Sequence, residues 1–517
     1  MKMNGKAKYG VAAILSLAIM FPGMGTFASA QDSLSVSRRS LLWNDPVLRT
    51  GTLSADGHSM VSLLQNPLPS MADVSVQFRM GSDEAPRLPQ EGNGLMEGTF
   101  NATSLRRLGK STAVSGGASY RRGIKRGVRW NSSSDFTLLY PYVMADSIGG
   151  DMQSEAYSFY GKYAHRTSGR FLYGVGASYR ALHEYRTVDP RPRNITSDFM
   201  IGMTGGMLVG EGYVADLSAS YRRYHQQQDV DYVNNLGAKA PQLHLTGLGS
   251  HYARFEGNGA YLNTRYRGGG FKAGAGIRPK GTDGLSAGAL YEYFEATKHL
   301  IGQNEAPYVK LCTHTLSAYA ALRKTTTTWR YALQGKGSLE LRNGHERVID
   351  NVATGIYDDI YDLLMYHSRA LDLSLEGVIS RGGLSIMPTL GYSSRDMVHR
   401  FPERTLSYSH LLLGTSIQYT ADALKWQPLL RAKAIHCSTL GSSCSIPEEY
   451  TYPNLLLFYK ELSGNLSDSF TLLSLEGSIQ RALGSDSALR LTLSMGYIPY
   501  GNGGRALGGQ AGVGFLF

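Results

Sequence analysis

Apolar and polar side chains alternate along much of the chain, and the longest regular stretch is residues 329–342. Its odd-numbered positions carry Trp329, Tyr331, Leu333, Gly335, Gly337, Leu339 and Leu341, and its even-numbered positions include Arg330, Gln334, Lys336 and Glu340. Successive side chains of a β-strand point to opposite faces, so this stretch predicts a strand with one apolar and one polar face. It is longer than the roughly five or six residues usual for a strand of a soluble protein. It is sufficient for a tilted membrane strand, which needs about 9 to 11 residues.

The same alternation recurs in residues 285–294, 371–380 and 489–497. Backbone polar groups inside a bilayer must be paired within the protein, and strands can achieve this only in a closed barrel. The sequence therefore predicts an all-β, antiparallel transmembrane β-barrel whose apolar faces meet lipid and whose polar faces line a wet lumen. The side chains that we expect in the lumen from these stretches are Arg330, Gln334, Lys336, Glu340, Glu376 and Arg490.

Short and long connections alternate in the second half of the chain, as expected for periplasmic turns and longer extracellular loops. The short connections are residues 324–328, 381–383, 421–423 and 484–487, and the long ones lie near residues 343–366, 395–405 and 437–468. In the first half, the same order requires residues 258–278 to form one bent strand. The predicted number of strands is about 18, within a range of about 16 to 20, because barrels of this class usually have an even number.

The chain ends on a strand in which Phe517, Phe515 and Val513 share an apolar face opposite glycines and Gln510. This ending resembles the final strand of bacterial outer-membrane barrels, which closes the barrel and whose terminal aromatic residue is read by the barrel-insertion machinery. The resemblance implies the outer membrane of a Gram-negative bacterium, with outer-membrane lipid as the surrounding medium. It also implies that Phe517, Phe515 and Val513 form a membrane-insertion signal.

The first thirty residues have the features of a signal peptide. Three lysines precede a mostly apolar stretch over residues 11–24, and Ala28, Ser29 and Ala30 form a small-residue cleavage pattern. We expect export, with cleavage near Ala30. Residues 31–70 show little periodicity and predict a segment inserted in the lumen or lying in the periplasm, and residues 71–517 predict the barrel.

Composition supports a membrane barrel. The chain contains 61 glycines in 517 residues, which is about 12% against a usual share of roughly 7%. Its 33 tyrosines are twice its 16 phenylalanines, and amphipathic tyrosine rings suit the boundary between water and lipid. Mean hydropathy is −0.22, and no apolar run of about 18 residues follows the signal segment, which excludes helical membrane spans.

The formal net charge is +11, and three of these charges belong to lysines of the signal segment. The remaining basic residues are spread through the strand patterns. This distribution argues against nucleic acid as a partner, because nucleic-acid-binding proteins gather their charge in a patch, tail or helix. Lipopolysaccharide phosphates and anionic solutes remain as candidate partners.

The sequence Ala-Ser-Tyr-Arg occurs three times and ends at Arg121, Arg180 and Arg222. The alternation places each tyrosine on the lipid face and each arginine on the lumen face. A charged ring in a lumen sets ion selectivity, so these residues could form a basic arc that favours anions. Alternatively, they pair with acidic lumen residues such as Asp216, Glu340 or Glu376 and brace a packed interior.

Few motifs indicate chemistry. Residues 284–288 match the GxSxG pattern of serine hydrolases, but Ser286 opens a long alternating strand, whereas a nucleophile elbow requires a sharp turn into a helix. No HExxH or CxxC metal spacing is present, so we expect no cofactor and no enzymatic activity. Cys437 and Cys444 lie in one predicted loop and form either a local disulfide or two free thiols.

Two stretches resemble a family of uncharacterised outer-membrane β-barrel proteins of Bacteroidota. One runs from Trp130-Asn131-Ser132-Ser133-Ser134-Asp135 to the segment 139–146, and the other covers residues 179–194 with Asp189-Pro190-Arg191-Pro192-Arg193-Asn194. The resemblance extends over most of the mature chain. It implies a membrane barrel but no particular activity, since the family has no established reaction.

These observations favour a non-enzymatic outer-membrane barrel that acts in solute uptake, either as a channel or as an accessory to an energised outer-membrane transporter. The alternative is a plugged barrel that serves as a structural or complex-forming subunit at the cell surface. An outer-membrane hydrolase, with Ser286 as its only candidate nucleophile, is the third hypothesis.

Overall fold

A computed structural model describes residues 34–52, 59–234, 240–257, 261–301, 305, 307–349, 359–421 and 426–517. Eighteen antiparallel strands form one closed sheet, in which the first strand pairs with both the second and the last. The predicted all-β barrel and its strand number are therefore confirmed. Of the stretch 258–278 that was expected to form one bent strand, residues 258–260 lie outside the described residues, and the strand itself is Thr264–Pro279. The predicted signal peptide, residues 1–30, lies outside the described residues.

The strands are numbered β1 to β21 in chain order, and three of them lie outside the barrel. The barrel strands are β1 Met71–Asp83, β2 Gly94–Arg107, β3 Thr112–Val128, β5 Gly150–Arg166, β6 Phe171–Tyr185, β7 Arg191–Val209, β8 Tyr213–Asp231, β11 Thr264–Pro279, β12 Gly284–Leu300, β13 Pro307–Thr325, β14 Arg330–Ile349, β15 Asp359–Arg381, β16 Leu384–Arg400, β17 Glu403–Thr420, β18 Trp426–Ser445, β19 Phe470–Ala482, β20 Ala488–Pro499 and β21 Arg505–Leu516. The other three, β4 Met144–Ala145, β9 Leu243–Gly247 and β10 Ser250–His251, form a small separate sheet.

The described helices are short, except for one near the C-terminal end of the chain. They are α1 Val36–Trp43, α2 Pro46–Arg49, α3 Ser62–Gln65, α4 Phe136–Leu139 and α5 Pro453–Ser467, with 3-10 turns at Pro89–Glu91 and Ala253–Phe255. Within the described ranges, no helix combines the length and the apolar character needed to cross a bilayer.

The barrel surface carries an apolar belt because side chains of one parity point outward on every strand. On β8 the outward positions from 213 to 221 include Leu217, which is 70% exposed, and Tyr221, which is 53% exposed. The polar outward residues Arg223 and His225 follow at the extracellular end of the strand. About nine residues of this strand therefore meet lipid, which matches the span that a tilted strand needs.

The closing strand β21 pairs with β1 in the register Val74↔Phe515 and Val76↔Val513. Phe515, Val513 and Phe517 are exposed on the outer surface. The backbone of Phe517 exchanges two hydrogen bonds with Ala72, so the chain terminus is fixed in the barrel wall.

Several strands continue above the membrane, so all three predicted long loops are shorter than expected: β14 runs to Ile349 and β15 begins at Asp359 within residues 343–366, and β18 runs to Ser445 within residues 437–468. Residues 395–405 were expected to form a long loop, but β16 runs to Arg400 and β17 begins at Glu403. Outward positions above the belt face water, so the lipid-driven alternation is lost while backbone pairing continues.

The possible disulfide between Cys437 and Cys444 is not formed, and both thiols are free. The two residues lie on β18, where Cys437 is opposite Leu412 and Cys444 is opposite Leu406. Seven residues of extended strand separate them by roughly 23 Å, far beyond the 7 Å limit for bridging Cα atoms. Sequence proximity placed them in one loop, whereas the strand holds them apart.

Candidate functional site: the plugged lumen

The periplasmic half of the lumen is filled by the lower plug, which we define as residues 34–52 and 59–70. Its apolar side chains pack against inward-facing residues of strands all around the barrel. The contacting groups are Val47 with Ala332 and Val378, Val61 with Leu172 and Val214, and Leu63 with Leu105, Ala113 and Ala164. These contacts lie on β2, β3, β5, β6, β8, β14 and β15, so the segment crosses the lumen.

Barrel arginines hold the lower plug in place. Arg330 forms an ion pair with Asp45, whose carboxylate also caps α2 by accepting from Val47 N at 2.9 Å. Arg323 donates to the Leu48 carbonyl at 3.1 Å, and Arg107 donates to carbonyls of residues 64–68. The predicted lumen-facing Arg330 does point inward, but Asp45 of the plug neutralises its charge.

Met60 forms the upper surface of the lower plug and fits against a wall of glycines. A Cβ atom added at Gly174 would lie 2.7 Å from the Met60 Cβ, and one at Gly202 would lie 3.0 Å from its Cε. Met60 N also donates to the Thr204 hydroxyl at 3.1 Å. The glycines of this region therefore make room for the plug.

The extracellular half of the lumen contains the upper plug, which we define as residues 129–149, 240–257 and 453–467. A single apolar core joins these segments to inward side chains of β8, β11, β12 and β17. Its buried members are Trp130, Phe136, Leu139, Val143, Ala145, Tyr224, Leu243, Leu245, Leu248, Tyr266, Phe294, Ala296, Leu406, Leu455, Phe458, Tyr459, Leu462 and Leu466. Such a core is packed as densely as a protein interior.

Polar contacts anchor the segment 129–149 to strands β6 and β7. Arg186 pairs with Asp146 at 2.6 Å, and both side chains are at most 1% exposed. Asn194 donates to the Ser132 carbonyl at 2.9 Å, and the Ser134 hydroxyl donates to Glu184. These residues belong to the two stretches whose sequence resembles the barrel family, so those stretches contact each other.

Arg180 and Arg222 belong to an ion-pair network beneath the upper plug. Arg180 donates to both carboxylate oxygens of Asp135, at 2.8 and 2.7 Å. Arg222 donates to both oxygens of Asp198, at 2.9 and 2.8 Å, and Asp198 lies on the strand between the two arginines. Both arginines face the lumen, but carboxylates neutralise them, so they do not form a free basic arc.

The electrostatics of Asp135 reflect this pairing. Burial alone would raise the pKa of its carboxyl, but the hydrogen bonds and charge of Arg180 outweigh burial. The pKa therefore lies below its ordinary value. Asp135 stays ionised in a site that would otherwise favour the neutral acid.

The acidic partners of these arginines differ from those suggested by the sequence. Asp216 pairs with Arg278 at 2.8 Å, and Glu340 pairs with Arg342 at 2.8 Å. Asp135 was not identified because it lies in a loop without periodicity. Asp198 could have been identified from the sequence, because the alternation of β7 places it on the lumen face between the two arginines.

The remaining predicted lumen residues also lie on the inner face. Arg121 pairs with Glu97 at 3.4 Å, and Arg490 pairs with Asp73. Gln334 is buried, whereas the side chains of Lys336 and Glu376 are exposed to the lumen. The strand parity therefore places every one of these residues inside, although most of their charges are paired.

A chamber with a mixed polar and apolar lining lies between the two plugs. Its main cavity has a volume of about 430 Å³, and a smaller cavity of about 110 Å³ continues down to Met60. The shared lining includes Tyr160, Ser178, Met200 and Lys272. Further hydroxyl and amide groups come from Asn101, Ser119, Ser158, Ser218 and Ser220. The size is in the usual range for binding sites of small molecules.

Three cations and three carboxylates around the chamber pair with one another, and Lys162 lines the lower cavity as a fourth cation. Lys272 pairs with Glu292 at 2.8 Å, and Glu292 also lies 3.8 Å from Arg222. With Arg180 and Arg222 paired above, the chamber offers hydroxyl groups and neutralised charges to a solute. No group of three or more potential metal ligands was found among the described residues.

Ser286, the candidate nucleophile of the hydrolase hypothesis, lies inside β12 and faces the lower plug. Its hydroxyl donates to the Ala321 carbonyl at 3.3 Å, and Gly51 of the plug lies close to its oxygen. The residue does not occupy a strand-to-helix turn, which the nucleophile elbow requires. Its position is explained by packing against the plug.

Comparison with solved structures identifies other large barrels at low identity. The ferric preacinetobactin receptor BauA of Acinetobacter baumannii is 8% identical, with a TM-score of 0.40, over 87% of this chain and 80% of the receptor. The siderophore receptor PirA of the same species is 9% identical, with a TM-score of 0.37, over 86% and 80%. The ferric yersiniabactin uptake receptor FyuA of Yersinia pestis is 10% identical, with a TM-score of 0.35, over 86% and 80%. Nothing about the solute of this chain follows from values this low.

Comparison with models of sequence families identifies the family of this chain. No curated protein matches the chain. The model of one family matches residues 60–517, which include all eighteen barrel strands, the whole upper plug and residues 60–70 of the lower plug. The chain belongs to the family of unknown function DUF6850.

Proposed function

We propose that this protein is a non-enzymatic outer-membrane barrel for the uptake of a small polar solute, and that the two plugs close its lumen at rest. The observation that carries the proposal is the chamber of about 430 Å³ between the plugs. A barrel that served only as a scaffold would gain stability by filling this space with side chains. Here the space stays open, and serine and tyrosine hydroxyls form part of its lining.

The pairing of Arg180, Arg222 and Lys272 with carboxylates favours a solute without net charge. Arg180 and Arg222 are paired with Asp135 and Asp198, so neither offers a free cation to an anionic solute. Serine and tyrosine hydroxyls can donate and accept hydrogen bonds, as can the hydroxyls of a neutral sugar. This arrangement supports a neutral, hydroxyl-rich solute over an anion.

Opening the lumen requires displacement of both plugs. The upper plug is a dry apolar core and the lower plug is held by arginines, so spontaneous opening is energetically costly. We propose that an energised outer-membrane transporter or a similar partner supplies this energy. Residues 1–30 then direct export, the lower plug blocks the periplasmic half of the lumen, and Phe517 with Phe515 and Val513 guides insertion of the barrel.

Swelling of proteoliposomes tests the solute class. Glucose, gluconate and glucosamine have nearly the same size and differ in charge. Once the plugs are loosened by removing residues 34–64 and by replacing residues 130–145 with a Gly-Ser linker, we expect glucose to enter at least as fast as gluconate. Strong preference for gluconate would contradict the neutral chamber and restore the basic-arc hypothesis.

Filling the chamber with a bulky side chain tests whether it lies on the path of the solute. In the same plug-loosened protein, Ser178→Phe places a ring in the cavity that Ser178 lines. We expect glucose entry to fall several-fold. The matched control is Ala177→Phe, because Ala177 precedes Ser178 on β6 and faces lipid. If both substitutions had the same effect, the chamber would not lie on the path of the solute.

A second function, that of a structural or complex-forming surface subunit, is favoured by one observation. Helix α5 belongs to the upper plug, yet Leu457 on its outer side is 63% exposed. An exposed apolar side chain on a surface helix suits contact with another protein. Two results together would favour this function over uptake. A stoichiometric partner should be recovered under mild detergent and lost on Leu457→Glu, and proteoliposomes with any of the plug variants should admit no solute.

A further inference from the structure

The outer surface of the barrel carries a groove immediately above the apolar belt, where β8, β11 and β12 lie side by side. Its volume is about 750 Å³, and its lining includes Tyr221, Arg223, His225, Arg267, Phe271 and Tyr293. These side chains have the parity of Leu217 and Tyr221, which are exposed on the outside. The groove therefore opens towards the membrane and not towards the lumen.

Gly269 creates the groove. Gly268 and Gly270 face inward, and a Cβ atom at Gly268 would lie 2.7 Å from the ring of Phe294. Gly269 faces outward, and a Cβ atom there would meet nothing closer than 3.9 Å. Packing of the lumen explains the two inward glycines, whereas the missing side chain at Gly269 leaves the gap itself.

The side chains around the gap are mainly cationic. Arg223 lies directly opposite Gly269 and has no ion-pair partner among the described residues. Arg265 and Arg267 share the single carboxylate of Glu305.

The other wall of the groove carries an ion pair of one carboxylate and one ammonium group. Glu295 lies opposite Gly269 on β12 and pairs with Lys310 at 3.2 Å. Taken together, the four cations Arg223, Arg265, Arg267 and Lys310 face the two carboxylates Glu295 and Glu305. The groove therefore carries excess positive charge and suits an anion.

The height of the groove restricts that anion to the lipid head groups. Tyr221, Phe271 and Tyr293 belong to the aromatic girdle at the extracellular edge of the belt, and Leu217 lies below them. Aromatic girdles mark the level of the head groups. An acyl chain bound here would lie along the belt, while its head group would reach the arginines.

We propose that this groove binds a phosphate of a lipid A-type glycolipid in the outer leaflet. Arg223 and Arg267 present planar guanidinium groups that can bind phosphate oxygens in pairs. The rings of Tyr221, Phe271 and Tyr293 contact the apolar faces of the sugar and the first acyl carbons. The gap at Gly269 admits the phosphate between the two arginines.

Native mass spectrometry of the full-length, delipidated protein tests the site with three lipid probes: lipid A with its phosphates, lipid A without phosphates, and phosphatidylglycerol. We expect phosphorylated lipid A to bind, and removal of its phosphates to weaken binding by roughly tenfold or more, as expected for charged hydrogen bonds. Arg223→Gln with Arg267→Gln should produce a loss of similar size.

The groove itself is tested without changing its charge. Gly269→Leu should fill the gap and weaken binding of phosphorylated lipid A about tenfold, because the phosphate no longer reaches both arginines. The matched control is Gly161→Leu, since Gly161 also faces lipid and has no atom within 4 Å of an added Cβ. Heat-dependent mobility on gels verifies that each variant forms the barrel.

Three results would overturn the proposal. The first is equal binding of lipid A with and without phosphates, and the second is unchanged binding by both the arginine variant and Gly269→Leu. The third is tighter binding of phosphatidylglycerol than of lipid A, which would assign the groove to a phospholipid instead.

Discussion

Arg186 and Asp146 form an ion pair of 2.6 Å whose side chains are 1% and 0% exposed. Arg186 also donates to the Pro190 carbonyl at 2.7 Å, and Asp146 accepts from the Ser132 hydroxyl at 2.8 Å. The pair fixes both ends of the segment 129–149 against β6 and β7. Closure of the upper lumen therefore depends on a desolvated charge pair as well as on the apolar core.

Removal of one member of this pair should release the upper plug. Asp146→Asn leaves Arg186 buried without its counter-ion, and such losses cost about 3–5 kcal/mol. We expect faster hydrogen exchange within residues 129–149, while the barrel strands remain protected. The double variant Asp146→Asn, Arg186→Gln should exchange more slowly than Asp146→Asn alone. Equal exchange in the wild type and in Asp146→Asn would show that the pair does not hold the plug.

Loss of the ion pair between Arg330 and Asp45 should loosen the lower plug. Arg330→Gln removes the partner of Asp45 and loosens α2, so we expect trypsin or chymotrypsin to cut within residues 34–52 of the folded barrel more rapidly. Lys336→Gln is the matched control, because Lys336 faces the lumen on the same strand and has no ion-pair partner among the described residues. Identical cleavage of the two variants would assign no special role to Arg330.

The network of Arg180 and Arg222 should act on closure and not on ion selectivity. In a protein that lacks residues 34–64, the variant Arg180→Ala, Arg222→Ala leaves Asp135 and Asp198 without their described arginine partners, and we expect brief openings in planar bilayers. Arg121→Ala, which removes a half-exposed arginine paired to Glu97, should leave the bilayer silent. A change of anion preference without a change in opening frequency would contradict the paired network.

Acid should loosen the upper plug through Asp135. Its folded pKa lies below the ordinary value, so its pairing with Arg180 stabilises the plug fully above about pH 4 and is lost as the pH falls through the folded pKa. Hydrogen exchange of residues 129–149, corrected for its intrinsic pH dependence, should rise below that point. Asp135→Asn should show faster exchange at neutral pH and a smaller rise in acid. The same acid response in the wild type and in Asp135→Asn would exclude this carboxyl.

The accessibility of Cys437 and Cys444 to a labelling reagent tests the register of β18. Cys444 is exposed above the membrane, whereas Cys437 is 2% exposed and faces inward. A membrane-impermeant maleimide applied to intact cells should label the wild type, and Cys444→Ser should remove most of the label. Cys437→Ser should leave the labelling unchanged. Labelling that depended on Cys437 would contradict the register of this strand.

The strands could be predicted from the sequence because contact with lipid requires an apolar side chain at every second position, as in residues 329–342. Above the membrane that constraint disappears, and β16 and β17 were therefore taken for a loop over residues 395–405. The plugs have no such period. Arg186 and Asp146 are 40 residues apart, and only the closed barrel brings them together. The alternation placed Arg180 correctly but could not show Asp135, which reaches it from a loop.

The most direct test of the account is single-channel recording on four forms of the protein. These are the wild type, a variant lacking residues 34–64, a variant with residues 130–145 replaced by a Gly-Ser linker, and the combination of both changes. Because two barriers lie in series, we predict that the first three forms stay closed and that only the combination conducts. Steady conductance by the wild type, or silence of a correctly folded combined variant, would contradict a solute pathway closed by two plugs.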